Sequence, residues 1–307
     1  MSESSYKPKT LDDVRKRIDE LDNRIHDTLM ERAQLISKIV EEKKKNNIAI
    51  VQPAREAKMI RRLLKRHQGI LPQMAVVRIW RELVGAVSLR QTGLNASVTA
   101  PDNVHVYWDL ARDYFGSCLP MKAVKDPLLA IAAVREGETT FGVVPWPQDE
   151  SNPWWVYLLN HNEGQKPMHI AIRLPHGDDP GQEAPEHRAL VISQSGFNES
   201  GEDRSFLLLE CPSHISRGKI VDSAGKQNMA VRSIYSRRSV NPESLSTHMI
   251  EVEGYWMQAE ADLAKFASQL CGEEGAGLSR CLCVGGYPVP PKYEKFVVPH
   301  DHGTVSQ

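Results

Sequence analysis

One long helical pattern near the start constrains the fold of this 307-residue chain more than any other feature. Apolar residues recur at spacings of three and four from Leu11 to about Lys44, which places them on one face of a helix. Thr10 and Asp13 form a capping-box pattern at its start. At 1.5 Å per residue the helix would be about 50 Å long. The two shorter helical patterns after it cannot cover such a face, so we expect a partner chain to cover it.

Two cations interrupt this apolar face. Arg32 occupies a position where leucine or isoleucine would be expected, and Lys43 follows eleven residues later. At roughly 100° per residue, that spacing returns Lys43 to within about 20° of the same face. A guanidinium on a face that becomes buried must be paired or must bind an anion. The pattern therefore predicts a local anion-binding site, whereas Lys16 and Arg17 are typical of a solvated face.

Composition excludes several classes of protein. The net charge of −1 gives no bulk attraction to nucleic acid or to a membrane surface, and we expect neither as a partner. The polar start predicts no signal peptide, and no apolar run approaches membrane-spanning length. Five scattered cysteines lack zinc-site spacing, so we expect reduced thiols, a cytoplasmic location and no metal. His300 and His302 in the tail are expected to be solvated.

Two further helices follow the first, and then the pattern changes. Pro53 opens a helix to about residue 66, and Pro72 precedes another that runs to about Gln91. A short polar linker over 92–95 leads into alternating strand and helix patterns, which indicate an α/β architecture. Residues 1–9 read as a disordered tail. We therefore predict a multi-domain chain with an all-α domain followed by α/β domains.

Residues 10–92 carry motifs that, as a set, resemble the all-helical chorismate mutase family, whose members are intertwined dimers of three-helix chains. The matching text is L-D-x-V-R-x-R-I-D-x-L-D, the pair Glu31-Arg32, Lys43, Pro53-x-Arg55-Glu56, and Trp80-Arg81-Glu82-Leu83 before Gln91. The resemblance implies substrate contacts from Arg15, Arg32, Lys43, Gln52, Arg55, Glu56, Val87, Ser88 and Gln91. Two positions depart from the family: Gln52 replaces an acidic residue, and Val87, with Ser88 beside it, replaces a serine.

The reaction of that family explains these residue types. Chorismate is a dianion, and its pericyclic rearrangement to prephenate needs positioning and charge stabilisation but no cofactor, metal or nucleophile. Arginines such as Arg32 suit its carboxylates because a guanidinium binds them through two donors. The resemblance assigns Lys43 and Gln91 to the breaking ether oxygen. It assigns Glu56 to the ring hydroxyl, where the carboxyl group must be protonated or hydrogen-bonded if it faces that oxygen.

The spacing of two arginines predicts a shared site. Arg15 and Arg32 are seventeen residues apart, or about 25 Å along one helix, which no ten-carbon substrate spans. If both contact one ligand, Arg15 must come from the other subunit of a homodimer. The alternative is a surface pair between Arg15 and Asp19.

The region 97–200 resembles the first lobe of prephenate dehydratase, through Asp113-Tyr114-Phe115-Gly116 and Phe141-Gly-Val-Val-Pro145. Asp102–His105 and Trp146–Asp149 replace two of that family's motifs. Its second lobe is missing between Leu174 and His187, and His187-Arg188-Ala189 stands where its catalytic threonine motif would be. A dehydration needs an acid to expel hydroxide, so we expect a degenerate scaffold, with His187 as a substitute acid the less favoured alternative.

Residues 203–290 predict the order βαββαβ, the ferredoxin-like unit. The stretch resembles the ACT domain that follows prephenate dehydratase, with Ser236-Arg237 and Val284-Gly-Gly-Tyr-Pro288 as anchors. In that family the domain binds phenylalanine, which implies an aromatic amino acid effector. The first effector motif is not kept, since Ile215-Ser216-Arg217 stands in its place, and Tyr235–Arg238 keeps only half of the second. Residues 291–307 form a tail.

The sequence thus predicts a chorismate mutase of phenylalanine and tyrosine biosynthesis, an isomerase with a dehydratase-inactive, regulatory second half. Two alternatives stay open at this point. One is a bifunctional chorismate mutase and prephenate dehydratase. The other is a non-catalytic regulator whose helical domain only dimerises; Gln52 and Val87 favour it, whereas the intact Arg32, Lys43 and Gln91 oppose it.

Overall fold

The computed structural model describes residues 10–45, 52–101, 105–148, 152–159, 166–177, 187–239, 244–271 and 279–293. Residues 1–9 and 294–307 of the predicted tails, with His300 and His302, lie outside these ranges, as do parts of two dehydratase-like motifs. Within them, no helix is both long enough and apolar enough to cross a bilayer.

Three helices form the N-terminal region: α1 (Leu11–Lys45), α2 (Pro53–Arg66) and α3 (Gln73–Thr92). Their observed bounds lie within about a residue of the predicted ones because the signals that set them are local. The capping box of α1 is confirmed, since the Thr10 amide donates to Asp13 at 3.1 Å and the Asp13 amide donates to Thr10 Oγ1 at 3.2 Å. Pro53 occupies the first turn of α2.

Strands and helices then alternate. The first group comprises β1 (Ala96–Thr99), α4 (Val106–Phe115), β2 (Met121–Val124), α5 (Pro127–Arg135), β3 (Phe141–Pro145), a 3-10 helix (Trp154–Leu159), β4 (His169–Leu174) and β5 (Ala189–Ser193). The second group comprises β6 (Asp203–Pro212), α6 (Arg217–Gly225), β7 (Val231–Arg237), β8 (Leu245–Glu253), α7 (Glu260–Cys271) and β9 (Arg280–Pro288), in the predicted βαββαβ order.

All nine strands form one mixed sheet in the order β2-β1-β3-β5-β4-β9-β6-β8-β7. The two groups meet where β4 pairs in parallel with β9, at Ile170 and Gly285. Gly285 is required there because a Cβ on it would overlap the backbone of Ile170, and its φ of +112° is a conformation that favours glycine. The predicted boundary between 200 and 203 therefore separates two groups of strands within a continuous sheet. The domain limits themselves stay a prediction.

The helical region packs against this sheet through polar contacts. Arg61 on α2 donates to the carbonyl oxygens of Ser200, Glu202 and Val289 at 3.1, 2.7 and 3.1 Å. On α3, Glu82 accepts a hydrogen bond from the Ser117 amide at 2.8 Å, just beyond α4. These contacts hold α2 and α3 against the α/β region and thereby fix the surroundings of the candidate site.

Candidate active site

The long helix α1 presents an uncovered apolar face. Five side chains on one side of the helix are at least 40% exposed: Leu11, Ile18, Leu21, Ile25 and Ile39. Monomeric proteins rarely expose a contiguous apolar strip of this length. Such a strip is what an intertwined helical dimer would cover.

Arg32 lies on the same side of α1, at the angular position of Leu21 and Ile25. Its side chain is partly buried, and burial lowers the pKa of its guanidinium below the ordinary value. It forms no ion pair or hydrogen bond with any residue in the described part of the chain. Arg32 is therefore available to an anion. Its charge is the less compensated because none of the described residues pairs with it.

Arg15 lies near the other end of α1, with its side chain 67% exposed. Its guanidinium approaches Asp12 at 3.4 Å, so its surface partner is Asp12 and not the Asp19 that the sequence suggested. An exposed pair of this kind is weak and easily exchanged for another anion.

The other predicted residues lie on α1, α2 and α3. Lys43 belongs to the last turns of α1, and Ser88 and Gln91 belong to the last turns of α3; their side chains are outside the described part. Val87 is partly buried on α3. Gln52 directly precedes α2, where its side chain makes no capping hydrogen bond, and Arg55 is exposed on the first turn of α2.

Glu56 belongs to a polar cluster between the two regions of the chain. Its Oε2 atom accepts a hydrogen bond from Arg81 Nη1 at 2.6 Å and a longer one from the Tyr114 hydroxyl at 3.4 Å. The other terminal nitrogen of Arg81, Nη2, donates to His176 Nε2 at 2.7 Å. The guanidinium also lies over the Tyr114 ring, 4.1 Å from its centroid. Residues from α2, α3, α4 and the segment after β4 thus form one cluster around Arg81.

Electrostatics favours these donor and acceptor roles. Burial, followed by the charges of Arg81, Arg61 and Arg173, lowers the pKa of His176 well below 6.5, so its imidazole is neutral at pH 7 and able to accept from Arg81. Burial raises the pKa of Tyr114, which keeps its hydroxyl protonated as a donor. Arg81 is only 3% exposed, and its pairing with Glu56 offsets the cost of burying both charges.

Sequence reasoning assigned no role to Arg81, Tyr114 or His176. A signal for Arg81 was present, because it lies four residues after Val77 and three before Val84 on the apolar pattern of α3. It interrupts that pattern as Arg32 interrupts α1. The other two residues have no comparable local signal, since only the folded chain brings them to α3.

The space between Glu56 and Tyr114 does not hold a substrate. The cavity lined by Glu56, Arg81, Tyr114 and Phe115 has a volume of about 30 Å³. Pockets for small ligands have volumes of roughly 300–1,000 Å³. Any ligand of that size that contacts Glu56 must therefore approach it from the side away from Tyr114.

In the second half, two residues at the predicted effector positions are in contact. Arg217 Nε donates to Ser236 Oγ at 2.9 Å, and Ser236 Oγ lies 2.8 Å from His248 Nδ1. Ser236 is fully buried. His187 is exposed just before β5.

Comparison with known protein families identifies the one that the helical region matches. Residues 14–92 match the family model described as chorismate mutase type II, which covers α1, α2 and α3 apart from the first turn of α1. The N-terminal region is therefore a chorismate mutase domain of the all-helical type.

Curated relatives resemble a longer part of the chain. A bifunctional chorismate mutase/prephenate dehydratase of Aquifex aeolicus (strain VF5) is 30% identical over 142 residues, which are 44% of this chain and 38% of that protein. One from Stutzerimonas stutzeri is 27% identical over 140 residues, or 43% of this chain and 37% of that protein. The match thus spans well under half the length of these relatives. The order of regions resembles their architecture.

Among solved structures, a prephenate dehydratase from Arthrobacter aurescens in complex with L-Phe is 14% identical, with a TM-score of 0.45. The superposition covers 67% of this chain and 94% of that one.

Proposed function

We propose that this protein is a chorismate mutase, an isomerase that rearranges chorismate to prephenate in the cytoplasmic synthesis of phenylalanine and tyrosine. The observation that carries the proposal is the match of residues 14–92 to chorismate mutase type II. Arg32 supports it independently, because a partly buried guanidinium without a partner in the described chain suits a carboxylate of the substrate.

The proposed site is completed by a second copy of the chain. Arg32 and Lys43 come from one subunit, and Arg15 comes from its partner, because α1 holds Arg15 and Arg32 too far apart for one substrate. The exposed apolar face of α1 supports such a homodimer. Lys43 and Gln91 donate to the ether oxygen, where negative charge develops as the bond breaks. Gln52, Arg55, Val87 and Ser88 surround the substrate.

Glu56 contacts the ring hydroxyl in this proposal and helps to select the reactive conformer. Two departures from the family pattern, Gln52 and Val87, replace an acidic side chain with an amide and a serine with an apolar side chain. The orientation of the substrate therefore depends more strongly on the polar contacts that remain, including that of Glu56. The rearrangement itself is intramolecular, so these residues position and stabilise charge and transfer no proton.

A direct assay tests the proposal. The wild-type protein should deplete the absorbance of chorismate, and Lys43→Ala should lower kcat by about 100-fold or more because it removes a donor to the developing charge. Lys45→Ala is the matched control, since Lys45 lies two residues away, exposed and paired with Glu42. A wild-type dimer without turnover would leave the non-catalytic regulator as the better reading.

The second half lacks dehydratase activity in this proposal. Strands β4 and β5 are adjacent and antiparallel, and only residues 175–188 connect them, which are too few for a second lobe. With prephenate as substrate, the wild-type protein should form no phenylpyruvate at a neutral pH where the mutase is active. Formation of phenylpyruvate would support a bifunctional enzyme like those named among the relatives.

The βαββαβ unit is assigned a regulatory, ACT-like role. The contact between Arg217 and Ser236 supports it, because two segments that correspond to effector motifs lie side by side. Isothermal titration with phenylalanine and with tyrosine tests this role, and the absence of heat with both amino acids would end it.

A further inference from the structure

Three residues outside the predicted site form a cluster with Glu56, and two of them belong to the α/β region. We infer that Arg81, Tyr114 and His176 are positioning residues that fix Glu56 for its contact with the substrate. The α/β region thereby completes the mutase site and is required for full activity. This inference rests on the proposed function of the helical region.

The contacts of Glu56 divide its two oxygens. Oε2 takes both hydrogen bonds, from Arg81 and from Tyr114. Oε1 accepts none from the described residues. The side chain is 15% exposed, so part of the carboxylate remains accessible. One oxygen is thus anchored within the chain, and the other is left for the substrate hydroxyl.

His176 acts on Glu56 only through Arg81. Its neutral Nε2 accepts a hydrogen bond from Nη2 of Arg81 at 2.7 Å, and Nη1 of the same guanidinium donates to Glu56 at 2.6 Å. Because the guanidinium is planar and rigid, fixing one nitrogen fixes the direction of the other. Without an acceptor at His176, the guanidinium gains freedom to rotate, and the carboxylate it anchors gains the same freedom.

The α/β region holds these residues firmly. Tyr114 is 5% exposed on α4, and its ring packs edge-on against His176 with centroids 5.3 Å apart. Gly85 allows α3 to approach the carbonyl of Phe115, where any larger residue would overlap it. The geometry of the cluster therefore depends on the packing of α3, which carries Arg81, against α4, which carries Tyr114.

A double-mutant cycle in the full-length protein tests the inference. The variants are His176→Leu, His176→Gln, Glu56→Gln and the combination of His176→Leu with Glu56→Gln, each assayed for kcat and KM with chorismate. Coupled neighbours interact by enough to change kcat/KM about tenfold. We expect His176→Leu to lower kcat/KM by about that factor. His176→Gln should recover most of the loss, because its side-chain oxygen restores an acceptor for Arg81.

In the Glu56→Gln background, His176→Leu should change kcat/KM by less than about twofold, because the group it positions has already been altered. Ser117→Ala is the control, since the Ser117 hydroxyl donates to Glu82 at the same contact between α3 and the α/β region but does not touch the cluster. It should leave kcat/KM at the wild-type value.

Each outcome decides the matter. Equal losses from His176→Leu in both backgrounds, or no loss in an active wild-type background, would overturn the positioning role but leave the mutase function standing. A wild-type protein without turnover would overturn the proposed function and this inference together. If His176→Leu does not fold, Tyr114→Phe replaces it in the same cycle, because it removes only the hydroxyl that donates to Glu56.

Discussion

Arg32 and Arg81 interrupt apolar helix faces in the same way, but the chain treats them differently. Arg81 is paired with Glu56, bonded to His176 and stacked on Tyr114. Arg32 has no such partner among the described residues and lies on a face that remains open. Because a buried charge needs compensation, an arginine left without it is the better candidate for binding an external anion.

The neutral state of His176 predicts how stability depends on pH. Burial and the cations Arg81, Arg61 and Arg173 lower its pKa well below 6.5, the ordinary value that it regains on unfolding. Below about pH 6.5 the unfolded chain binds more protons at this residue than the folded one, so folding loses stability as the pH falls. Above that value the contribution is complete. Wild type should therefore lose Tm more steeply than His176→Gln between pH 7.5 and 5.5 (about one unit on either side of that value).

The control for this measurement is His169→Gln. Burial also lowers the pKa of His169, but that residue lies at the start of β4, at the opposite end of the strand from His176. Because the His169→Gln variant retains His176, its Tm should still show the part of the dependence on pH that His176 causes. Equal slopes for wild type and His176→Gln would show that the pKa of His176 is not lowered in the folded protein.

At the scale of elements, the sequence predicts those features that local chemistry determines. Thr10 and Asp13 fix the start of α1, and Pro53 fixes the start of α2, because capping and proline act within a few residues. The βαββαβ order follows from hydrophobic periodicity in the same way. The 3-10 helix Trp154–Leu159 was not predicted, since its apolar run has neither the length nor the periodicity of a regular element.

The residues of the candidate site also differ in whether a local sequence pattern identifies them. Arg32 was identifiable because its neighbours on α1 are apolar, and Arg81 offered the same signal on α3. That the α/β region supplies Tyr114 and His176 to this arginine was not predictable, because 33 and 95 residues along the chain separate them from Arg81. The continuous sheet is a similar case, since the pairing of Ile170 with Gly285 depends on packing alone.

The close approach of α3 to α4 makes Gly85 the most sensitive position of this contact. A methyl group there would overlap the carbonyl oxygen of Phe115, so Gly85→Ala should lower the free energy of unfolding by about 1–3 kcal/mol, as overpacking does. Denaturant unfolding measures the change. Gly218→Ala in α6 is the control, because its Cβ would meet only Ser216 Oγ, at 3.8 Å. Equal effects of the two substitutions would contradict the tight contact.

At the scale of the molecule, α1 is the element through which we expect two copies of the chain to associate. Its apolar face is exposed in the single chain, and the contacts of α2 and α3 are directed toward the sheet through Arg61, Arg81 and Glu82. The helical region is thus fastened to its own α/β region on one side and open on the other. A second copy that covers α1 would bring its Arg15 to the Arg32 of the first, and each dimer would contain two such mixed sites.

Mixing two inactive variants tests this assembly. Arg15→Ala and Arg32→Ala should each abolish turnover, because every site of either homodimer lacks one arginine. In a mixed dimer, one site combines the intact Arg32 of one subunit with the intact Arg15 of its partner, and the other site lacks both. After the subunits are unfolded and refolded together in equal amounts, half the dimers are mixed and half their sites are intact, so about a quarter of wild-type kcat per subunit should return. A mixture of the Arg32→Ala and Lys43→Ala variants, refolded in the same way, is the control. Both residues belong to the same subunit's half of the site, so mixing these two variants should restore no activity. No recovery in the first mixture would show that Arg15 and Arg32 do not meet across the dimer. Recovery in the control would show that Arg32 and Lys43 do not belong to the same subunit's half of the site.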